Sequence, residues 1–522
     1  MGLFGKIVLA SVAAVLVALE AQAADLPARA KAIEHVRICS LYGAGFWYIP
    51  GTDTCIKVGG YMRVDTTFNA SAAYGAPAYV GDIAFGDRFS DFMISRSRMG
   101  LTIDTRTATE YGVVRTFALG DFQFQNFGTS DPAVVGAPPS VLGGLNAPLL
   151  SNAGGGYVPV GYLFIQFAGF SIGKSASAFA TPWNGYPGNN TSYLIGGHDT
   201  VTGVNNIQYT AQFSDGVSAS IGLDDPTIYN RTPLYNLASG IGGMGFGVNS
   251  YEGWVYPDLV GRVRLEQVWG LLQVSGAVHH VGATYNALSA SGGPTAASIL
   301  SGHPDSQVGG AVMAALQLKN IPTGAGDDIK LDATWAKGDT KQVISTSGTS
   351  PSFAMLGGVP SQFGPDNSYG FGATTDGLFM PVTFAASGVT GDGKIHLTES
   401  WGVRGGYNHN WNPYWSSGLW GGAGWVRYDD TARREYCAAF SLTHPGLGTS
   451  YSCDPNFSAA MLGLITRWTP VQNLALSGEI GLFRLHQNFN GASTFSPGTS
   501  VHSYTFHDQE TAYLNVRVQR NF

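Results

Sequence analysis

The sequence predicts an all-β protein whose strands roll into a transmembrane antiparallel barrel of about sixteen strands, with short periplasmic turns, long external loops and one loop folded into the pore. Three observations predict it. First, the final stretch Thr511–Phe522, TAYLNVRVQRNF, alternates. Ala512, Leu514, Val516 and Val518 share one face, and Thr511, Tyr513, Asn515, Arg517 and Gln519 share the other. That period of two is a strand with one oily side and one wet side, and about ten residues cross a bilayer as a tilted strand. Second, only 12% of the 522 residues are charged, against about 25% in soluble domains. Third, the connections between strands alternate between short and long. A strand facing lipid cannot leave an open edge, because unpaired N–H and C=O groups find no water there.

The chain opens on a targeting pattern. Lys6 supplies a positive start, Ile7 to Leu19 an apolar stretch, and Ala21-Gln22-Ala23 a small-x-small cleavage site. Residues 1–23 therefore read as a signal peptide, 24–55 as a periplasmic N-terminal segment, and 56–522 as the barrel. Past the leader the sequence has no apolar run of the roughly 18 residues a membrane helix needs. The net charge of -7 and the scattered Lys and Arg argue against a nucleic-acid partner.

Four cysteines lie in two close pairs, Cys39 with Cys55 and Cys437 with Cys453. An exported protein oxidises them by default. The barrel reading places the first pair before the first strand on the periplasmic side and the second in a long external loop. The membrane holds those sites about 25 Å apart, whereas a disulfide needs Cα atoms within roughly 7 Å. Crossed pairings are thereby excluded. His35 near Cys39 brings zinc to mind, but no four-ligand cluster accompanies it, and no metal or cofactor motif stands out.

The strands follow in order. Ile56–Phe68 turns Ile56, Val58, Met62, Val64 and Phe68 outward and Lys57, Tyr61, Arg63, Asp65 and Thr67 inward. Arg96–Arg106 turns Met99, Leu101 and Ile103 outward and Arg96, Arg98, Thr102 and Asp104 inward. Gly112–Gln125 turns Val114, Phe122 and Phe124 outward and Arg115, Asp121, Gln123 and Gln125 inward. Val160–Phe167 and Phe170–Phe179 flank the tight turn Ala168-Gly169, and Asn205–Phe213 returns through Ser214-Asp215-Gly216 to Val217–Leu223, a strong hairpin signal. The remaining strands are Leu259–Gln267, Leu271–Val281, Gln307–Lys319, Ile329–Ala336, His396–Asn410, Trp415–Tyr428, Phe457–Trp468, Leu474–Phe483 and Thr511–Phe522. Gly-, Ser-, Asn- and Pro-rich segments such as Ala180–Gly203, Gly338–Lys394 and Asp429–Asn456 fill the long gaps. Trp269, Trp401, Tyr407, Trp415, Trp468, Tyr513 and Phe522 sit near strand ends, where aromatic girdles form.

Sixteen strands enclose a water-filled bore, whereas eight would be filled by their own side chains. The expected use is passage of small hydrophilic solutes and ions. Ala180–Gly203 is the candidate for narrowing the bore and carries Trp183, Tyr186, His198 and Asp199. Arg63, Arg96, Arg98 and Arg115 come from three successive strands. With neighbouring strands about 4.8 Å apart they form a basic ladder, which Arg262 and Arg264 extend. Such a row biases which ions pass. In the alternative reading these arginines pair with Asp65, Asp104, Asp121 and Glu266 and brace the wall.

The segment Arg37–Arg63, RICSLYGAGFWYIPGTDTCIKVGGYMR, resembles the opening of the alphaproteobacterial, Rhizobiales-type outer-membrane general porins. Cys39-Ser40, Tyr42 to Phe46, Tyr48 to Thr52, Thr54-Cys55, Gly59-Gly60-Tyr61 and Arg63 carry the likeness, joined by the SRSRMGLTIDTRT segment from Ser95 and the terminal Asn521-Phe522. The resemblance implies a sixteen-stranded homotrimer of the bacterial outer membrane with its third external loop in the pore. It also implies a C-terminal Phe522 read by the barrel assembly machinery, and an outer surface meeting lipid and lipopolysaccharide.

Three rival readings differ in their residues. A barrel enzyme would need a Ser/His or paired-carboxylate constellation, and Ser275, His279, His280 and Asp332 follow no recognisable spacing. A plugged 22-strand transporter would need a plug domain larger than residues 24–55. A substrate-specific channel, for example for sugars, would use Trp183 and Tyr186 as a greasy slide.

Overall fold

The computed structural model describes residues 37–69, 80–81, 93–125, 158–183, 185–191, 193–198, 201–226, 232–345, 350–357, 368–444, 447, 450–495 and 502–522. The targeting segment, Asp199 and most of the first two long loops lie outside these residues.

Sixteen strands form one antiparallel sheet that closes on itself. They are β1 Thr54–Phe68, β2 Met93–Thr109, β3 Gly112–Gln125, β4 Val160–Phe167, β5 Phe170–Ser175, β6 Val204–Gln212, β7 Val217–Asp224 and β8 Asp258–Gln267. The second half is β9 Gly270–Val281, β10 Gln307–Lys319, β11 Asp328–Lys337, β12 Glu399–Asn410, β13 Trp415–Arg427, β14 Phe457–Val471, β15 Leu474–Gln487 and β16 Gln509–Asn521. Each strand pairs with its neighbours in sequence, and β16 pairs with β1 from Tyr61↔Asn521 to Phe68↔Leu514. A short strand, Trp47–Tyr48, folds back on the start of β1, and the Cys39–Cys55 disulfide fastens it there.

The turns obey local chemistry. Ala168 and Gly169 have φ of 49° and 85°, and Asp215 and Gly216 have 60° and 76°. Left-handed pairs of this kind match the twist of a two-stranded hairpin. The other short turns join β2 to β3, β8 to β9 and β14 to β15, with longer ones at 320–327 and 411–414. All the long connections lie at the opposite end.

The two faces separate as the alternation predicts. Val58, Met62, Val64, Ile480, Leu482, Val516 and Val518 are exposed on the outside, where lipid covers them. Their neighbours Asp65, Thr67, Glu479, Asn515 and Arg517 are buried on the inside. Trp415 stacks on Trp468 at the short-turn end of β13 (5.9 Å), and Trp425 stacks on Trp401 ten positions further along (6.2 Å). Ten residues at about 3.3 Å each, tilted by about 40°, separate the two aromatic bands by about 25 Å, the height of an outer-membrane apolar belt.

Two sequence expectations need correcting. Tyr513 belongs to no girdle: it is 2% exposed and its hydroxyl donates to Glu479 in the interior (3.0 Å). β5 ends at Ser175 rather than Phe179. Ser177 Oγ accepts from Phe179 N (2.9 Å), its carbonyl accepts from Ala180 N (3.1 Å), and this turn takes Phe179 off the sheet into the interior.

Much of the described part of the external loops is not open to solvent. The described residues within 232–256, 338–398, 428–456 and 488–508 pack around α1, Asp430–Thr443, whose N-cap Asp429 accepts from Ala432 N (2.8 Å). Phe371, Phe440, Phe489 and Phe506 form their aromatic centre, with Phe371 and Phe489 at 4.6 Å. The Cys437–Cys453 disulfide ties α1 to the chain leading into β14. Both disulfides join the partners expected from the barrel geometry.

Closure leaves its own sequence mark. Gly60 N donates to Phe522 O and Phe522 N donates to Gly60 O, both at 3.0 Å. Gly60 has φ of 155°, and a Cβ there would lie 2.0 Å from Gly100 O. Tyr61 in turn covers the bare backbone of Gly100 and donates to Asp121 (2.8 Å). Gly60→Ala is therefore expected to cost about 2 kcal/mol or more. A fall in the temperature at which the folded, detergent-resistant band disappears on electrophoresis would report it, and an unchanged temperature would contradict the tight seam.

Candidate functional site

The inner wall carries cations unevenly matched by acids. Asp65 of β1 sits between two guanidiniums, accepting from Arg96 of β2 (2.9 and 3.1 Å) and from Arg517 of β16 (2.9 Å). Its side chain is fully buried. Removing one partner of such a buried ion set costs about 3–5 kcal/mol, so this triad locks the seam between the first and last strands. Arg98 pairs with Asp121 (3.1 Å), and Arg115 and Arg106 share Asp104 (3.0 and 3.1 Å). Arg115 also lies over the Phe117 ring (5.1 Å).

Three of the arginines singled out from the sequence have neutral acceptors instead. Arg63 donates to Gln519 (2.8 Å) and lies over the Tyr61 ring (4.6 Å). Arg262 donates to Ser220 (3.2 Å), and Arg264 donates to Gln273 (2.9 Å). None of the three forms an ion pair among the described residues.

The loop between β5 and β6 follows the inward side of β9 and β11 to β16. Gln273 of β9 donates to Ala180 O (2.7 Å), and Asn408 of β12 donates to Pro187 O (3.1 Å). Arg467 of β14 donates to Gly188 O. At the far end, Glu479 of β15 accepts from Thr191 Oγ1 (2.9 Å) and Tyr513 OH (3.0 Å), and from Asn190 N; Asn190 Nδ2 donates to Ser477 Oγ (2.6 Å). The return path presses Gly196 and Gly197 flat against the wall. A Cβ on Gly196 would lie 2.4 Å from Val403 O, and one on Gly197 would lie 2.3 Å from Asp332 Oδ1. Asp332 itself is fixed by Arg404 (2.9 and 3.0 Å). The loop is thus anchored along half the circumference by hydrogen bonds, of which those to the Arg467 guanidinium and the Glu479 carboxylate are charge-assisted and worth about 1.5–3 kcal/mol each.

A second layer covers this half. Gly196 N donates to Val343 O (2.9 Å) in the long segment after β11, and Val343 and Ile344 are fully buried. Phe353 packs on Phe457 (5.8 Å) and Phe483 (5.5 Å), which face inward from β14 and β15. At the short-turn end the interior stays polar and open. A cavity of about 530 Å³ is bounded by Tyr42, Lys57, Asp104 and Arg106, and one of about 320 Å³ by Asp328, Lys330, Asn408 and Arg467.

The sequence-derived residues therefore fall into groups. Arg63, Arg262 and Arg264 are half-buried on the wall with neutral partners, whereas Arg96, Arg98 and Arg115 are ion-paired. Trp183 and Tyr186 are each only 8% exposed, wedged between loop and wall. The hydroxyl of Ser275 accepts from Gln273, while the ring nitrogens of His279 meet Asp258 (2.7 Å) and Tyr251 (3.1 Å). No Ser–His pair forms there among the described residues. Glu479, Arg404 and Arg467 escaped the sequence reading, in which Tyr513 is a girdle aromatic and Asp332 only part of a rival enzyme constellation. Glu479 had a visible signal, a lone acid at mid-strand in LALSGEIGLF; the others became meaningful only through contacts distant in sequence.

A closed sixteen-stranded sheet with an apolar exterior and a charged, loop-lined interior defines an outer-membrane β-barrel of the channel class. The chain matches the porin subfamily over residues 24–513, and it belongs to that family. It resides in the bacterial outer membrane, which it crosses as strands. It is 29% identical over 274 residues to the porin Omp2b of Brucella suis and 30% identical over 274 residues to that of Brucella canis. The match spans 51% of this chain and 63% of those relatives. Among solved structures, the outer membrane channel DcaP of Acinetobacter baumannii shares the fold with a TM-score of 0.54 at 14% identity, covering 91% of this chain and 99% of that one.

His198 supplies a pH test of the loop. It is buried, its ring Nδ1 meets Gln342 Oε1 at 2.6 Å, and it packs edge-on against Phe179 (5.7 Å). Burial, helped by the nearby charges of Lys341 and Arg404, pushes its pKa down to about 3, although the Gln342 bond works the other way. A depressed histidine binds its proton more readily when the loop is released. Stability of the anchored loop should fall as pH drops below about 6.5 and level off near the folded value. His198→Gln should flatten the pH dependence of thermal stability between pH 7 and pH 4. Identical slopes in both proteins would contradict the assignment.

Proposed function

We propose that the chain forms a water-filled channel through which small hydrophilic solutes and ions diffuse passively. The loop between β5 and β6 narrows it from the β9–β16 side, and the wall opposite carries the charge that selects among ions. The observation behind this reading is the pairing of an anchored loop on one half of the wall with uncompensated guanidiniums on the other. Desolvated positive charge at a constriction favours anions over cations. Arg63, Arg262 and Arg264 set that preference, because neutral acceptors hold them. Arg96, Arg98 and Arg115 brace the wall through their carboxylates. Assembly as a homotrimer is part of the proposal, as is recognition of Phe522 by the assembly machinery; family membership supports both.

The near burial of Trp183 and Tyr186 speaks against a sugar slide built from them. A slide needs open aromatic faces along the path. Family membership favours a channel over a barrel enzyme.

Planar-bilayer recording in a salt gradient tests the proposal. Wild-type protein should give discrete conductance steps and a zero-current potential displaced toward the chloride equilibrium potential. Arg63→Glu with Arg264→Glu changes the lumen by four charge units, two per substitution, and should carry the zero-current potential toward the potassium side. Absence of conductance steps would refute the channel. An unmoved potential in the double variant would refute the role of these two arginines.

A further inference from the structure

At the rim of the external loops, three side chains converge from two elements. Asp392 and His396 lie on the segment leading into β12, and Glu435 lies on α1. One ligating atom from each lies within 4.8 Å of the others. We propose that Asp392, His396 and Glu435 bind a divalent transition-metal ion, with Zn²⁺ the best fit, and that the ion clips this segment to α1.

Three features support the site beyond proximity. Glu435 is fully buried; its Oε1 accepts from Asp392 N (3.1 Å), while its Oε2, sealed from solvent, accepts no hydrogen bond. A buried carboxylate oxygen without a donor costs free energy that a cation would recover. The imidazole of His396 is already oriented: its Nδ1 meets Asp429 Oδ2 at 2.9 Å, which leaves Nε2 aimed at Asp392 (3.2 and 3.3 Å). A carboxylate behind the distal ring nitrogen is the usual support of a metal-bound histidine. Asp392 is held too, with its Oδ1 accepting from Lys394 N (2.9 Å). One nitrogen and two carboxylate donors suit zinc and its neighbours rather than calcium or magnesium, which prefer oxygen alone. Three protein ligands leave a fourth position for water.

The site carries structural meaning because Asp429 is also the N-cap of α1. The ion would thus bear on the helix through Glu435 directly and through Asp429 behind His396. With the Cys437–Cys453 disulfide two residues beyond Glu435, the start of α1 would be fastened at adjacent points.

Zinc titration of the purified full-length protein in detergent, after chelator treatment, tests the proposal with Zn²⁺ alone as probe. One equivalent should bind per chain, and an equal concentration of Ca²⁺ or Mg²⁺ should not displace it. Asp392→Asn, whose side chain is partly exposed, and His396→Asn should each abolish saturable binding. Asp429→Asn keeps a capping residue but removes the supporting carboxylate, and should weaken binding about 10- to 100-fold. His486→Asn, which touches only the Asp508 pair elsewhere on the rim, should leave it unchanged. No binding by wild-type protein would mean that His396 serves only as an ion-pair bridge, and would overturn the proposal. So would undiminished binding in Asp392→Asn and His396→Asn, loss of binding in His486→Asn, or equal displacement by Ca²⁺.

Discussion

Everything in this molecule depends on satisfying backbone hydrogen bonds where no water can help. In hydrocarbon each unpaired N–H or C=O costs several kcal/mol, so the sheet must find its own first strand. The β1–β16 ladder does this, and Phe522 extends it to the last residue through both of its backbone groups. The side chains at that seam are correspondingly constrained. Gly60 and Gly100 admit the close approach of neighbouring strands, Tyr61 fills the space they leave, and Asp65 draws Arg96 and Arg517 together from the two strands flanking β1. The residues that give the N-terminal segment its family likeness are thus, in part, residues that shut the barrel.

Closure also decides what the interior must contain. A ring of sixteen strands is too wide for its own side chains to fill, and the long loops make up the difference on one side. This explains why β13, β14 and β15 break the rule of oily outside and polar inside. Trp420, Phe457 and Phe483 point inward and are buried, because the loop between β5 and β6 and the segment after β11 lie over them. The opposite wall, β1 to β3, keeps its arginines and acids. The asymmetry of the bore is therefore written into the inner faces of the strands: buried aromatics accompany the anchoring Arg467 and Glu479 where the loop is seated, and arginines and acids line the wall where it is not.

The strand set was legible in sequence because alternation and turn chemistry are local. Asp215-Gly216 and Ala168-Gly169 announce their turns, and TAYLNVRVQRNF announces its two faces. The disulfide partners followed from one more fact, the thickness of the membrane. The interior was less legible. Whether Arg96 or Arg63 has a carboxylate partner depends on register across strands, and Asp65 faces both; only the pairing of β1 with β2 and β16 decides which guanidiniums reach it. Glu479 and Thr191 lie 288 positions apart and meet through a loop whose path no local pattern encodes. The aromatic centre around Phe371 and Phe440 was hidden for the same reason, since its members come from three separate loops. Phe179 continued a strand pattern by propensity, but its burial against the interior proved the stronger term.

The central claim is that the loop between β5 and β6 is seated on the inner face of the far wall, where Asn190 meets Ser477. Both natural disulfides are formed and no free cysteine remains, so Asn190→Cys with Ser477→Cys introduces the sole pair of free thiols. Thiol titration combined with single-channel recording under oxidation is the most direct measurement. The seated loop predicts that the new thiols disappear together and that the conductance of the crosslinked channel equals that of the wild type. Thiols that stay reactive, or a conductance that changes when they join, would contradict it.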